Sequence, residues 1–228
     1  MPRKRQGEAA RGSQHWLQLA VRSNRQLLDQ AIGRAFGQSL DLPLEWLSPL
    51  HDDSDYAEYS DGDALSKLRL QTPRRPLKDF WPKQGPVWDG LATSPTGKAV
   101  LVEAKAHISE LVSSASAAKG RSLDMIRTSL LATRRAFGSR SRNDWTGTFY
   151  QYANRLAHLY FLRSINKQPA YLAFVYFTHD HAMNGGATEE EWRGAAKVVH
   201  TYLGLHTSNP LSRYIADVFI DVRTLRAA

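Results

Sequence analysis

The chain contains no cysteine. That removes disulfide scaffolds, thiol nucleophiles and thiolate-bound zinc together, and it restricts any metal to oxygen or histidine ligands. Long apolar runs are missing as well: no stretch of eighteen apolar residues could span a bilayer, and the start MPRKRQGEAARG has no apolar segment of the secretory kind. A membrane partner is therefore not expected, and a cytoplasmic location is. Also absent are a phosphate-loop glycine pattern and a G-x-S-x-G elbow, so nucleoside triphosphatase, dinucleotide-enzyme and serine hydrolase readings lack their motifs.

What is present is an ordinary globular composition with a patterned charge. The 228 residues, 42% hydrophobic and 23% charged, are neither disordered nor fibrous in composition. Subtracting 22 acidic from 30 basic residues leaves +8, unevenly spread. Residues 1–25 hold six basic side chains against Glu8, and residues 119–142 hold seven against Asp124. Residues 51–63, HDDSDYAEYSDGD, hold six carboxylates and no Lys or Arg. Such a field suits a polyanion binder with a local carboxylate cluster, although Arg-rich helices can also simply solvate a surface.

The periodicity predicts one mixed α/β domain over residues 13–228, preceded by a basic, disordered tail over 1–12. Residues 13–36 read as one or two helices, and LDLPLEWLSPL as an extended or loop segment because of Pro43 and Pro49. A short helix is expected around 63–70, then a connection punctuated by four prolines up to Pro86. PVWDGLAT and KAVLVEAKA, parted by a turn-forming Ser-Pro-Thr-Gly, read as a β-hairpin. The Ser/Ala-rich stretch after it is expected to be mobile in part. Beyond lie a helix ending at Gly138, a long helix over 145–166, the buried strand YLAFVYFTH, a helix with an acidic first turn (TEEEWRG), and a last strand YIADVFIDV.

Side chains alternate along a strand, so in VLVEAKA the carboxylate of Glu103 and the ammonium of Lys105 share a face, roughly 7 Å apart at ~3.3–3.4 Å per residue. With the turn centred near Thr96, Asp89 comes opposite Glu103. Exposed, such a trio would be a solvated face. Its company of Val87, Trp88, Leu91, Val100, Leu101 and Val102 argues instead for a buried strand, where charges are rare unless paired. Two adjacent carboxylates repel unless one is protonated or a cation lies between them, and hard oxygen donors suit Mg²⁺ or Mn²⁺.

Asp89, then Glu103-Ala104-Lys105 on a hairpin followed by a helix, resembles the PD-(D/E)xK nuclease superfamily over about residues 86–180. The resemblance implies a restriction-endonuclease-like core, a mixed central sheet flanked by helices. It also implies metal-dependent hydrolysis of DNA phosphodiesters, with repair, restriction and defence all open, as are DNA versus RNA and endo- versus exonuclease action. Carried over, Asp89, Glu103 and the Ala104 carbonyl hold the metal, and Lys105 orients or deprotonates the water or touches the phosphate. The match departs from the family at Trp88, where proline is usual, and in its upstream acidic ligand. Glu58 is favoured for that place, with Glu45 and Asp29 as alternatives. In the long helix, Gln151, Asn154, Arg155 and His158 form one polar stripe facing solvent or a cleft. Gln151 resembles a glutamine found beside the metal in some members, while Arg155 replaces a tyrosine and could contact a phosphate. His158 reads more readily as structural, as do His179 and His181.

Arg127, Arg134 and Arg135 are the expected backbone-binding residues, nucleic acid is the expected partner, and a homodimer is allowed. The competing reading keeps the fold and discards the chemistry: a non-catalytic nucleic-acid-binding or assembly module. A third has the charges merely decorating a scaffold.

Overall fold

Ala-Val-Leu-Val-Glu-Ala-Lys, apolar at five of its seven positions, is suited to burial on both faces, and it forms the middle strand of a five-stranded sheet. The computed structural model describes residues 3–4, 6–53, 55–183 and 186–226. The strands of this sheet are β2 (Glu45–Ser48), β4 (Gly90–Thr93), β5 (Ala99–Lys105), β6 (Ala170–Thr178) and β7 (Ile215–Asp221), in the spatial order β2-β4-β5-β6-β7. β2, β4 and β5 pair antiparallel; β5, β6 and β7 pair parallel. The protein is thus α/β with a mixed sheet. A two-residue strand β1 (Arg3–Lys4) pairs separately with β3 (Glu58–Tyr59).

Alternation along β5 sends its two sets of side chains into two apolar clusters. Val100, Val102 and Ala104 meet α1 (Gly12–Ser23) and α2 (Arg25–Phe36) through Leu17, Ala20, Leu28 and Ile32. Leu101 lies in the opposite cluster with α4 (Gly120–Ala136), α5 (Tyr150–Tyr160) and α6 (Glu189–Leu203), through Ile126, Leu130, Leu156 and Trp192. Each fully buried aliphatic or aromatic side chain contributes ~1.5–3 kcal/mol relative to exposure. β6 is buried at all nine positions, as its unbroken apolar sequence requires. Thr188 and Glu191 form a capping box that starts α6, and Gly204 ends it in the left-handed region.

Several local expectations shift. The acidic stretch enters its helix two residues early, as α3 (Asp61–Lys67). The long helix begins only at Tyr150, because Asp144 captures the Thr146 N–H and hydroxyl in a turn, and after Tyr160 it widens into a π-turn over Phe161–Ile165. The Ser/Ala-rich stretch is tied down rather than free: Ser113 and Ser116 donate backbone N–H groups to the Thr148 and Thr146 carbonyls. The basic start also differs from a detached tail. Gly7 donates to the Asp55 carbonyl, and buried Gln18 holds the Ala9 N–H and the Gly7 carbonyl. Met1, Pro2 and Arg5 lie outside the described residues.

Candidate active site

β4 and β5 pair with Gly90 opposite Val102, so one step outward Asp89 stands opposite Glu103. The register from a turn near Thr96 is the one observed. Asp89 Oδ2 accepts the Ala104 N–H at 2.7 Å, extending the ladder with a side chain where β4 ends. In an extended strand a residue's N–H and C=O point to the same side, so the Ala104 carbonyl faces Asp89 too.

Glu103 is buried and held by two cations. Lys105 Nζ donates to Oε1 at 2.5 Å, while Arg155 Nε reaches Oε2 at 2.7 Å and its Nη2 lies 2.5 Å from the same oxygen. The rest of the Arg155 guanidinium is occupied: Nη1 donates to Asn154 Oδ1, Nη2 to the Val87 carbonyl, and the Trp88 ring lies 5.0 Å away. The arginine expected to contact phosphate is therefore turned inward, as a clamp on Glu103. Sequence spacing could not show this, because the two residues are 52 positions apart.

These contacts set the charges. Burial pushes Asp89 up, the Glu103 carboxylate pushes it further, and its carboxyl reaches about 8. Burial also opposes ionisation of Glu103, but Arg155 and Lys105 outweigh it and hold the carboxyl below its usual range. For Lys105, burial works against the charge and the Glu103 and Asp89 carboxylates prevail, so its pKa is raised. At neutral pH Glu103 is ionised, Lys105 is charged and Asp89 holds a proton, so these three side chains are together neutral.

The upstream carboxylates separate clearly. Tyr59 bridges Trp88 antiparallel, which brings Glu58 opposite Asp89, and repulsion from Glu58 adds to the rise at Asp89. Glu58 also accepts from Gln6 at 2.5 Å and from Gln14 at 3.4 Å. Glu45 is exposed and opposite Thr93, at the far end of the hairpin. Asp29 is buried on the other face, bonded to the Trp46 indole and the Leu44 N–H.

A cleft of about 680 Å³ opens beside these groups, with Asp89, Glu103, Lys105, Glu110, Gln151 and Arg155 in its wall. Gln151 is exposed, and its N–H is fixed by Ser113 Oγ at 3.0 Å. The polar stripe of α5 thus faces the cleft through Gln151, Asn154 and Arg155. His158 lies behind it, edge-on to Trp81 and Trp88, with Nδ1 2.8 Å from the Asn154 carbonyl and burial lowering its pKa to about 4. It is a neutral core histidine.

Glu110 was not anticipated. It caps the turn after β5, accepting the Ala106 and His107 N–H groups, and it takes the Ser13 hydroxyl on its other oxygen. A capping-box pattern beginning at His107 was the available signal, hidden by histidine being an unusual cap. Of the three arginines expected to bind a backbone, none lines this cleft. Arg134 donates to the Ser141 carbonyl, Arg127 and Arg134 both act on Asp144, and Arg135 is exposed. His179 Nδ1 lies 3.5 Å from Asp221 Oδ2, and His181 is exposed on a turn.

Among the described residues no group of three or more His, Asp or Glu side chains converges as a ready-made metal shell. Mg²⁺ does not need one, since it keeps several waters and takes one or two carboxylates. Asp89 and Glu103, with the Ala104 carbonyl and Glu58 nearby, form a hard oxygen donor set of that size. Comparison with known proteins finds no matching family model, no matching curated protein and no matching solved structure.

Proposed function

We propose that the protein is a nuclease of the PD-(D/E)xK type, on a restriction-endonuclease-like core, hydrolysing DNA phosphodiester bonds with Mg²⁺ or Mn²⁺ in repair, restriction or defence. The observation that carries this reading is the meeting of Asp89, Glu103 and Lys105 at one cleft, with Asp89 driven to about 8 by burial and by Glu103. A carboxyl so frustrated is stabilised by a cation placed between the two side chains. Asp89, Glu103 and the Ala104 carbonyl would hold the metal, with Glu58 as the upstream acid. When bound, the ion would offset charge on the phosphodiester and acidify water.

The protein's own groups do the rest. Lys105 is an ammonium at neutral pH, so it donates hydrogen bonds to the water or the phosphate rather than removing a proton. Arg155 keeps Glu103 ionised and immobile. Gln151, free at the cleft wall, orients the attacking water or the strand.

The test is cleavage of single- and double-stranded DNA with Mg²⁺ or Mn²⁺. We expect Lys105→Ala to abolish cleavage while the circular dichroism spectrum stays unchanged; no cleavage of any DNA or RNA by the unaltered protein would overturn the reading. Calorimetry adds a sign: because Asp89 is protonated at neutral pH, metal binding must release about one proton, and affinity must rise with pH up to about 8.

One observation favours the non-catalytic alternative. Both oxygens of Glu103 are already engaged by Lys105 and Arg155 without a metal. That reading predicts no proton release and nucleic-acid binding indifferent to Glu103→Gln.

A further inference from the structure

The open five-stranded sheet has two edges, and the chain treats them differently. β2 is a short edge of four residues; its pairing with β4 is irregular between Trp46 and Ser48, and Pro43 and Pro49 flank it. Brevity, bulges and proline are the usual devices that keep an edge from pairing with another chain. β7 has none of them. Its seven residues, Ile-Ala-Asp-Val-Phe-Ile-Asp, include no Pro, Gly or Lys, and its register with β6 runs unbroken from Leu172 opposite Ile215 to Thr178 opposite Asp221. Among the described residues no strand pairs with its outer side, where alternate N–H and C=O groups point away from β6.

That outer side is open to a groove of about 570 Å³, lined by residues 215–219 in succession. Successive strand residues point to opposite faces, so a hollow that meets all of them runs along the edge rather than over one face. α2 forms one wall with Ala31, Arg34 and Ala35, and α6 the other with Glu189 and Arg193. Two cations, Arg34 and Arg193, thus share the groove with two carboxylates, Glu189 and Asp217. A polyanion would meet the carboxylates. A second copy of the same lining answers each charge with its opposite, as the self-matching contact of a two-fold dimer requires.

Asp217 selects the register. It is the one residue of β7 that opposes pairing, since a half-buried charge repels an incoming strand unless a cation comes with it. Burial pushes its carboxyl up, and His200, Tyr176 and Arg193 offset this only in part. In an antiparallel pair, residues directly opposite share a face. With Val218 opposite its own copy, all seven residues pair and Asp217 stands opposite the partner's Phe219. Arg193 lies over the Phe219 ring, 4.5 Å from its centre, so this register delivers the partner's Arg193 to Asp217. Centred on Asp217 instead, the carboxylate would face its own copy; centred on Phe219, it would face the partner's Asp221. Both set like charges directly opposite and pair fewer residues. We propose that β7 is a homodimer interface: two copies join these edges antiparallel about Val218 into one continuous sheet, Arg193 of each subunit against Asp217 of the other. The proposal is independent of the nuclease reading.

Sedimentation velocity of the full chain, from micromolar to millimolar concentration, should show a monomer–dimer equilibrium. Arg193 is exposed, so Arg193→Glu should keep the circular dichroism spectrum while weakening association roughly 10-fold or more, because it sets like charges across the interface. Arg193→Lys, which keeps the charge, should still dimerise. The register has its own readout. The chain has no cysteine, so an introduced one reports only contacts with its own copy. Under mild oxidation Val218→Cys should give a disulfide-linked dimer, since directly opposite residues lie within disulfide reach. Ala216→Cys, on the same face but opposite the partner's Ile220, should not. A monomer at every concentration would overturn the proposal and leave the edge to a different chain. So would a dimer undiminished by Arg193→Glu, or Val218→Cys cross-linking no more readily than Ala216→Cys.

Discussion

Asp29 and Asp89 lie on opposite faces of the same sheet, and burial is the largest influence on both, pushing each carboxyl up. Their neighbours then act in opposite senses. Around Asp29 the Trp46 indole at 2.8 Å and the Leu44 N–H at 3.0 Å pull the carboxyl back down. Around Asp89 the next influence is another carboxylate, Glu103, and the carboxyl climbs to about 8. A buried carboxylate surrounded by donors fastens a structure. One surrounded by carboxylates leaves a charge conflict that a proton or a cation must resolve, and only the second arrangement suggests chemistry.

The same substitution at both positions should split them furthest. Asp89→Asn keeps an acceptor for the Ala104 N–H but removes the charge, and metal-dependent cleavage should fall on the order of 10²-fold or more, as for lost catalytic groups. Asp29→Asn, assayed at a temperature where it is folded, should cleave within a few-fold of the unaltered protein; comparable losses would erase the distinction.

Next in size is Arg155→Met, which removes the main partner of a buried carboxylate. Urea unfolding should show a loss of about 3–5 kcal/mol, the range for breaking a buried ion pair from one side. A loss under ~1 kcal/mol would mean that Lys105 alone satisfies Glu103.

Asp29→Asn should destabilise by about 1–3 kcal/mol, because an amide cannot accept from both Trp46 and Leu44.

The smallest effect concerns His158, whose pKa falls from 6.5 to about 4. The unfolded chain takes up a proton in that window and the folded one does not, so stability present above pH 6.5 is lost as pH falls toward 4. His158→Gln should flatten the slope by at most ~1.4 kcal/mol per pH unit. The measurement belongs in the Asp89→Asn background, since the raised Asp89 carboxyl gives the metal-free protein an opposing slope, stability falling as pH rises from 3.8 toward 8.

Much of the site was legible because it is local. Asp89, Glu103 and Lys105 belong to one hairpin, whose register follows from turn position and strand alternation. Glu58 was a choice among three acids that no spacing could decide; the Tyr59–Trp88 bridge shows that of the three it is Glu58 that lies opposite Asp89. Arg155 was placed on the right helix face but given the wrong partner, because a face says where a side chain points and not what waits there.

By itself the sequence determined the α/β alternation, the oxygen and nitrogen chemistry open to a chain without cysteine, and the pairing of two carboxylates and a lysine across one turn. These depend on periodicity and composition, which act over a few residues. Only the tertiary structure decided that Arg155 neutralises Glu103 and that Glu58 faces Asp89. Each joins segments tens of residues apart, brought together by burial of the apolar faces of β5, α4 and α5, and burial of this kind carries no signature at the charged positions it happens to unite.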